Sequence, residues 1–377
     1  MTGSSRMPTP TRAARREYES LSAMSRGARF IGSVGSAVMC AVAALGLAGC
    51  GAGSRPATAD APSVTTVTTT ATTTATTTAT TTTTATTTTT ISLPGAGRPP
   101  VTIGDENTPE QFLLGQLYYQ ALKAAGFSVS LNQSIGPTEV IQQALANGQL
   151  AMYPEYLDSW NTNVAGIQHG FRTPRDAYVA GQHYALKHGL ELLNPTPFSD
   201  TNAIAVAFNY AVENQVQSIP DLIKMSDGLT LGGPPQFQQS ATGLPALEST
   251  YGVVPAAFKP LELGSQYQAL DQGTVQAAVV QTTDPQLLSG SYPLLHDPQD
   301  IFGWGNVVPV ASARALDAEG PAFEATVNRV SALLTLSAMR ELNASVELDG
   351  QDPATVATRF LQANDVLPPP SSSGQAG

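Results

Sequence analysis

From Val101 onward, apolar positions fall into short runs parted by polar turns, and the runs alternate between two periods. Val101-Thr102-Ile103-Gly104 reads as a buried strand. Pro109 suits a first helical turn, and Phe112, Leu113, Leu117 and Leu122 then recur at helical spacing up to Gly126. Residues 127–131 alternate as a second strand, 138–147 form a helix ended by Gly148, and 150–153 form a third strand. Residues 173–188 read as a helix capped by Thr173 with Pro174 in its first turn. Extended runs follow at 203–208, 229–233, 257–261, 275–280 and 307–310, with helices at 244–251, 323–336, 337–348 and 353–364. Strands alternating with helices predict an α/β body whose ligands sit at the carboxyl ends of parallel strands.

The first hundred residues carry no such pattern. Arg26 and Arg29 precede an apolar run over 30–47 that ends Leu47-Ala48-Gly49-Cys50. That is the layout of an export signal, whose ending resembles the bacterial lipobox. The resemblance implies diacylglyceryl attachment at Cys50 and cleavage before it. Residues 1–50 are therefore read as a signal peptide, although the apolar run is near the lower length limit for an uncleaved span. Met24 offers an alternative start. Residues 51–99 are read as a tether, almost purely Thr and Ala from 64 to 90 and too poor in apolar groups to offset ordering entropy. Thr tracts near Pro also occur as glycosylated stalks. Residues 368–377 read as a Pro/Ser/Gly tail.

Charge narrows the partners. The whole chain carries a formal −11, and the first fifty residues hold six Arg and two Glu, so the remainder carries 12 basic against 27 acidic side chains. So acidic a body is unsuited to nucleic acid and offers a favourable field for small cations. Cys40 and Cys50 are the sole cysteines, so the folded part has no disulfide, no Cys-based metal site and no Cys nucleophile. His169, His183, His188 and His296 form no zinc-hydrolase pattern, and no Gly-x-Ser-x-Gly elbow occurs. No cofactor motif is present.

Candidate chemistry centres on Tyr153-Pro154-Glu155-Tyr156, where Pro154 pushes Tyr153 toward an extended conformation and both tyrosines are placed at a strand end beside a carboxylate. Rings opening into a cleft suit a small cation, while core packing is the plainer alternative. Asn107, Thr138 and Tyr156 each follow a strand or open a helix, and so converge on one mouth.

The run Ile103-Gly104-Asp105-Glu106-Asn107-Thr108-Pro109-Glu110-Gln111-Phe112-Leu113-Leu114-Gly115, followed by Gly136-Pro137-Thr138-Glu139-Val140 and then Tyr153-Pro154-Glu155-Tyr156, resembles the glycine betaine, choline and carnitine binding proteins of osmoprotectant ABC importers. The resemblance extends over about residues 100–367. It implies a type II periplasmic-binding-protein fold, an α/β architecture of two lobes, each a mixed and mostly parallel sheet flanked by helices, with the ligand cleft between them. Residues 100–202 and 307–367 would form lobe 1, and 203–306 lobe 2. Carried over residue by residue, it places Tyr156, Phe237, Tyr267 and Trp304 as ring contacts and Asn107, Thr108, Thr138, Asn202 and Thr282 as polar contacts. For Asn202, an Asx turn ahead of a strand is the alternative.

The cage departs from the family at Gln281, where the family has Tyr, at Trp304-Gly305, where the aromatic has moved by one position, and at Thr108-Pro109, which replace Phe-Thr. The implied protein is a monomeric, lipid-anchored solute-binding component that delivers a quaternary ammonium solute to permease subunits at the outer face of the cell membrane, and is not an enzyme. A binding protein for a neutral or more polar solute, an exported hydrolase and a stalked adhesin are the alternatives.

Overall fold

A computed structural model describes residues 66–68, 88–90 and 92–369, apart from 137 and 169. The expected signal peptide, Cys50, His169 and most of the expected tail lie outside the described residues. Within the Thr/Ala tract, Thr66–Thr68 pairs antiparallel with Thr88–Thr90. Composition alone predicts a plain tether there, and two three-residue strands fall short of what stands alone in water. Among the described residues no helix is long and apolar enough to cross a membrane.

The body is built on two sheets. The strands are β1 (Val101–Gly104), β2 (Val129–Asn132), β3 (Met152–Tyr156), β4 (Leu190–Leu192), β5 (Asn202–Val206), β6 (Thr230–Gly233), β7 (Ala257–Pro260), β8 (Ala277–Gln281) and β9 (Val307–Ser312). The first sheet has the order β2-β1-β3-β9-β4 and the second the order β5-β8-β6-β7. In the first, β1 runs parallel to β2 and β3, while β9 runs antiparallel to β3 and β4. In the second, β8 is antiparallel to β5 and parallel to β6, and β6 is parallel to β7. This is the two-lobed, mixed α/β type II periplasmic-binding-protein fold.

Period-two alternation decides what each strand offers to each side. Met152, Val307 and Ala311 face a core shared with α1 (Pro109–Ala124), α2 (Pro321–Leu333), α3 (Leu336–Asn343) and α4 (Pro353–Ala363). Tyr153, Val308 and Val310 face the opposite core, with Trp160 and Leu157. Each fully buried apolar side chain of this kind contributes roughly 1.5–3 kcal/mol. The α1 helix starts where Thr108 Oγ1 accepts from Gln111 N–H at 3.3 Å. It is then tied to α4 by Gln120, which donates to the Ala354 carbonyl and accepts from Thr358.

Pro154 and Pro309 face each other across β3 and β9. Leu157 N–H donates to the Asn306 carbonyl, so by the alternation of an antiparallel ladder the two prolines occupy a pair that exchanges no N–H bonds. On its other side Pro309 accepts from Leu193 N–H at 2.9 Å and, having no N–H of its own, returns no bond there.

Element ends shift from the sequence-based expectation for identifiable reasons. The strand expected over 203–208 stops at Val206, because its partner strand begins at Ala277 opposite it. Phe208 instead opens a short helix, Phe208–Asn214, and is 55% exposed. The helix expected over 337–348 divides into α3 and a wider π-turn, Ala344–Leu348. The three-residue strand β4 was not foreseen.

The chain passes between the sheets at 199–202 and again at 304–306, and the two crossings touch. Asp200 N–H donates to the Gly305 carbonyl at 2.9 Å, Gly305 N–H donates to Ser199 Oγ at 2.9 Å, and Asn306 Nδ2 donates to the carbonyls of Thr196 and Phe198. A Cβ on Gly305 would stand 1.7 Å from the Asp200 carbonyl oxygen. Gly305 is therefore a point of close backbone approach, and no open space is left where the family aromatic stands. Gly305→Ala is expected to destabilise the folded body by about 2–4 kcal/mol. A thermal melt within error of the parent would contradict that.

Candidate ligand cleft

A cavity of about 620 Å³ opens where the ends of both sheets meet the turn after α3. Tyr156 ends β3 and Gln281 ends β8, so each sheet delivers one residue at its strand terminus. Tyr156 lies on the Met152 face of β3, and its phenol donates to Glu110 Oε1 on α1 at 2.9 Å. Tyr267, from the short helix Gln266–Asp271 of the second lobe, donates to Asp284 Oδ2 at 2.7 Å. Each lobe thus contributes a tyrosine bonded to a buried or half-buried carboxylate. Asn343, only 3% exposed on α3, donates Nδ2–H to Glu110 Oε2 at 2.7 Å and to the Thr283 carbonyl at 3.2 Å.

Among the described residues the charged lining is entirely acidic, comprising Glu110, Asp158, Asp200, Asp284 and Glu347. Burial raises all five above the ordinary carboxylate range. For Glu110, donors from Asn343, Tyr156 and Thr283 pull the value back, while the charge of Asp284 pushes it up. Asp200 is well raised by burial and by Glu110, and Thr283 offsets part of this. Glu347 is pushed up to about 7 by burial, then by Asp284 and Glu110. Among the described residues no group of three or more His, Cys, Asp or Glu is arranged to hold a metal ion.

The structure brings together Thr108, Tyr156, Asn202 and Tyr267 on the wall of this cavity. The other expected contacts are placed elsewhere. Phe237 is 2% exposed in the core of the second lobe, between Phe258 and Phe302 at ring separations of 6.3 and 6.1 Å. Its strand ends as expected, but the ring turns inward. Trp304 packs on the core behind β3 and donates its indole N–H to the Phe171 carbonyl at 3.0 Å.

The Thr282 hydroxyl donates to the Ser199 carbonyl at 2.7 Å and accepts from Thr201 N–H at 3.0 Å, fastening the crossing. The Thr138 hydroxyl donates to Glu106 at 3.1 Å, and Asn107 is exposed beside the mouth. Neither lines the cavity. Tyr153 and Glu155 face away from it, because they fall on the other face of β3. There the Tyr153 phenol donates to Glu155 at 2.9 Å and accepts from Gln142 at 2.7 Å.

Sequence reasoning did not foresee the five carboxylates or Asn343. Glu110 stands within the run 103–115 but carries no local mark of what it faces, and the same holds for Asp284. Asn343 and Glu347 are more than 180 positions from Tyr156 in the chain, and no local spacing marks them.

A model of the family described as the substrate-binding domain of ABC-type glycine betaine transport systems matches residues 99–363. The chain is 28% identical to the glycine betaine-binding protein YehZ of Escherichia coli, over 72% of this chain and 93% of that protein. It is 27% identical to a glycine-betaine-binding protein of Pseudomonas aeruginosa, over 73% of this chain and 90% of that one. In fold it is similar to the crystal structure of a glycine betaine/carnitine/choline ABC transporter protein, with a TM-score of 0.65 at 22% identity, over 71% of this chain and 99% of that one.

The raised carboxyls make stability depend on pH. A carboxyl whose folded pKa exceeds its unfolded value keeps its proton longer in the folded chain, so folding is favoured in acid and that advantage is lost as pH rises through the folded value. Glu347 at about 7, Asp105 at about 6 and Glu155 at about 8 set the window from roughly 5 to 8. The melting temperature of the ligand-free protein should fall across that range. Asp200→Asn should raise it more at pH 8 than at pH 5.5, and a ligand-free melting temperature that climbs from pH 5 to 8 would reverse the argument.

Proposed function

The chain belongs to the family of substrate-binding domains of ABC-type glycine betaine transport systems, and on that premise we propose that it is the exported solute-binding lipoprotein of such an importer. Cys50 is the acylated mature N-terminus, and the Thr/Ala tract holds the body away from the membrane. The body works as a monomer and delivers its solute to permease subunits. Residues 100–202 with 307–367 act as one lobe and 203–306 as the other, hinged at the paired crossings and closing on the solute.

The observation that carries this reading is the cavity wall. Tyr156 and Tyr267 come from different lobes, and among the described residues all the charged side chains that line the cavity with them are carboxyls. Ring faces and negative charge together suit a cationic head group. The named relatives make methylated ammonium compounds such as glycine betaine, choline and carnitine the first solutes to test.

With choline as ligand, Tyr156→Ala is expected to weaken binding by about 1–3 kcal/mol through lost ring contact and lost burial. Isothermal titration would read this directly, and unchanged affinity would remove Tyr156 from the site. For the anchor, Cys50→Ala should move the protein from the membrane fraction to the medium or leave an unprocessed precursor. A variant that stays membrane-bound at unchanged mass would assign anchoring to the apolar run instead.

A further inference from the structure

We propose that Leu263, at the mouth of this cleft, is a specificity-determining residue: it supplies an apolar face against the methyl groups of a trimethylammonium head on a side that the tyrosines leave open. The inference rests on the reading of the cleft as the solute site.

A trimethylammonium group has no N–H to give. It is held by surfaces that take its methyls out of water and by negative charge nearby. The head is tetrahedral, so it presents methyls in several directions at once, and rings on two sides cover it incompletely. Of the aromatic positions that the family resemblance points to, Phe237 and Trp304 turn into the cores. Gln281 offers an amide in place of a ring, and a side chain at Gly305 would collide with the Asp200 carbonyl. Among the described residues, Tyr156 and Tyr267 are the aromatic side chains on the cavity wall.

Leu263 is the one open-chain aliphatic side chain on that wall among the described residues. At 81% exposure it is also the most exposed of their large apolar side chains. An exposed leucine is ordinary on a protein surface. This one shares the wall of the solute cavity with Tyr267, so its methyls are open to a solute and are not spent on a core.

Its place is fixed from both ends. Leu261 N–H donates to the carbonyl of Gly233, the last residue of β6, at 2.8 Å. Ser265 donates both its N–H and its hydroxyl to the Glu262 carbonyl, at 3.1 and 2.6 Å. Gly264, at φ +87°, turns the chain between Leu263 and the helix Gln266–Asp271 that carries Tyr267. Leu263 and Tyr267 thus belong to one short anchored segment and travel together as the lobes close. Pro109, the other non-aromatic apolar side chain on the wall, belongs to the first turn of α1 in the opposite lobe.

Calorimetric titration of the full chain with choline and with glycine betaine, which share the trimethylammonium head, tests the assignment. Leu263→Asn keeps the size of the side chain and removes its apolar face. It is expected to weaken whichever of the two solutes the parent binds by at least about fivefold, and both by the same factor where the parent binds both. Leu263→Met keeps an apolar face and should stay within about twofold of the parent. Because the side chain is exposed, the ligand-free melting temperature should match that of the parent in both variants.

An affinity in Leu263→Asn within about twofold of the parent, while Tyr156→Ala still weakens binding, would overturn the proposal and leave the solute-binding reading intact. A loss confined to one of two bound solutes would assign Leu263 to the tail of that solute and overturn it as well. A ligand-free melting temperature lowered in Leu263→Asn and kept in Leu263→Met would assign the leucine to the fold instead. Absence of binding of both solutes by the parent would overturn the proposal together with the reading on which it rests.

Discussion

Two peptide groups hold the halves of this cleft in place. Asp200 donates to the carbonyl of Gly305, and the two backbones lie so close that a single added carbon at 305 would overlap the Asp200 oxygen. The hydroxyl of Thr282 joins a third segment, the end of β8, to the same crossing. Because the crossings are fixed, β3 and β8 must end at a common opening. Their last residues, Tyr156 and Gln281, line one cavity from the two sheets. Arg340 and Asn343 on α3 then bond the carbonyls of Thr282 and Thr283, so the first lobe also grips the second from the side.

That geometry concentrates carboxylates where water is scarce. Desolvation disfavours their charged forms, and neighbours of like charge reinforce the effect. Tyrosine hydroxyls and the Asn343 amide return only part of what burial removes. Glu347, pushed up to about 7, therefore holds its proton to near neutral pH.

Much of this was legible in the chain. The two-period pattern gave the order of strands and helices, and the recognised runs led to Thr108, Tyr156, Asn202 and Tyr267, which do line the cavity. The other five expected contacts, Asn107, Thr138, Phe237, Thr282 and Trp304, do not line it. Phe237 and Trp304 stand near strand ends, but their rings turn into the cores, where aromatic burial is worth more than exposure at a mouth. Thr282 spends its hydroxyl on the backbone. Glu110, Asp284 and Asn343 escaped notice because a charged or amide residue in a helix or turn carries no local sign of what it faces. Their significance comes from partners far away in sequence, such as the Glu110–Asn343 bond across 233 positions.

The facing prolines of β3 and β9 have a consequence for how the chain returns to its first lobe. A strand that closes a sheet late must find its place among neighbours already laid down, and a slip of one residue is the usual error. Here such a slip would move Pro309 to where β3 calls for an N–H, and would turn Val308 and Val310 from one core toward the other. The facing prolines therefore weigh against one-residue slips of the returning strand, and so help to fix the depth of Tyr156 at the mouth of the cleft.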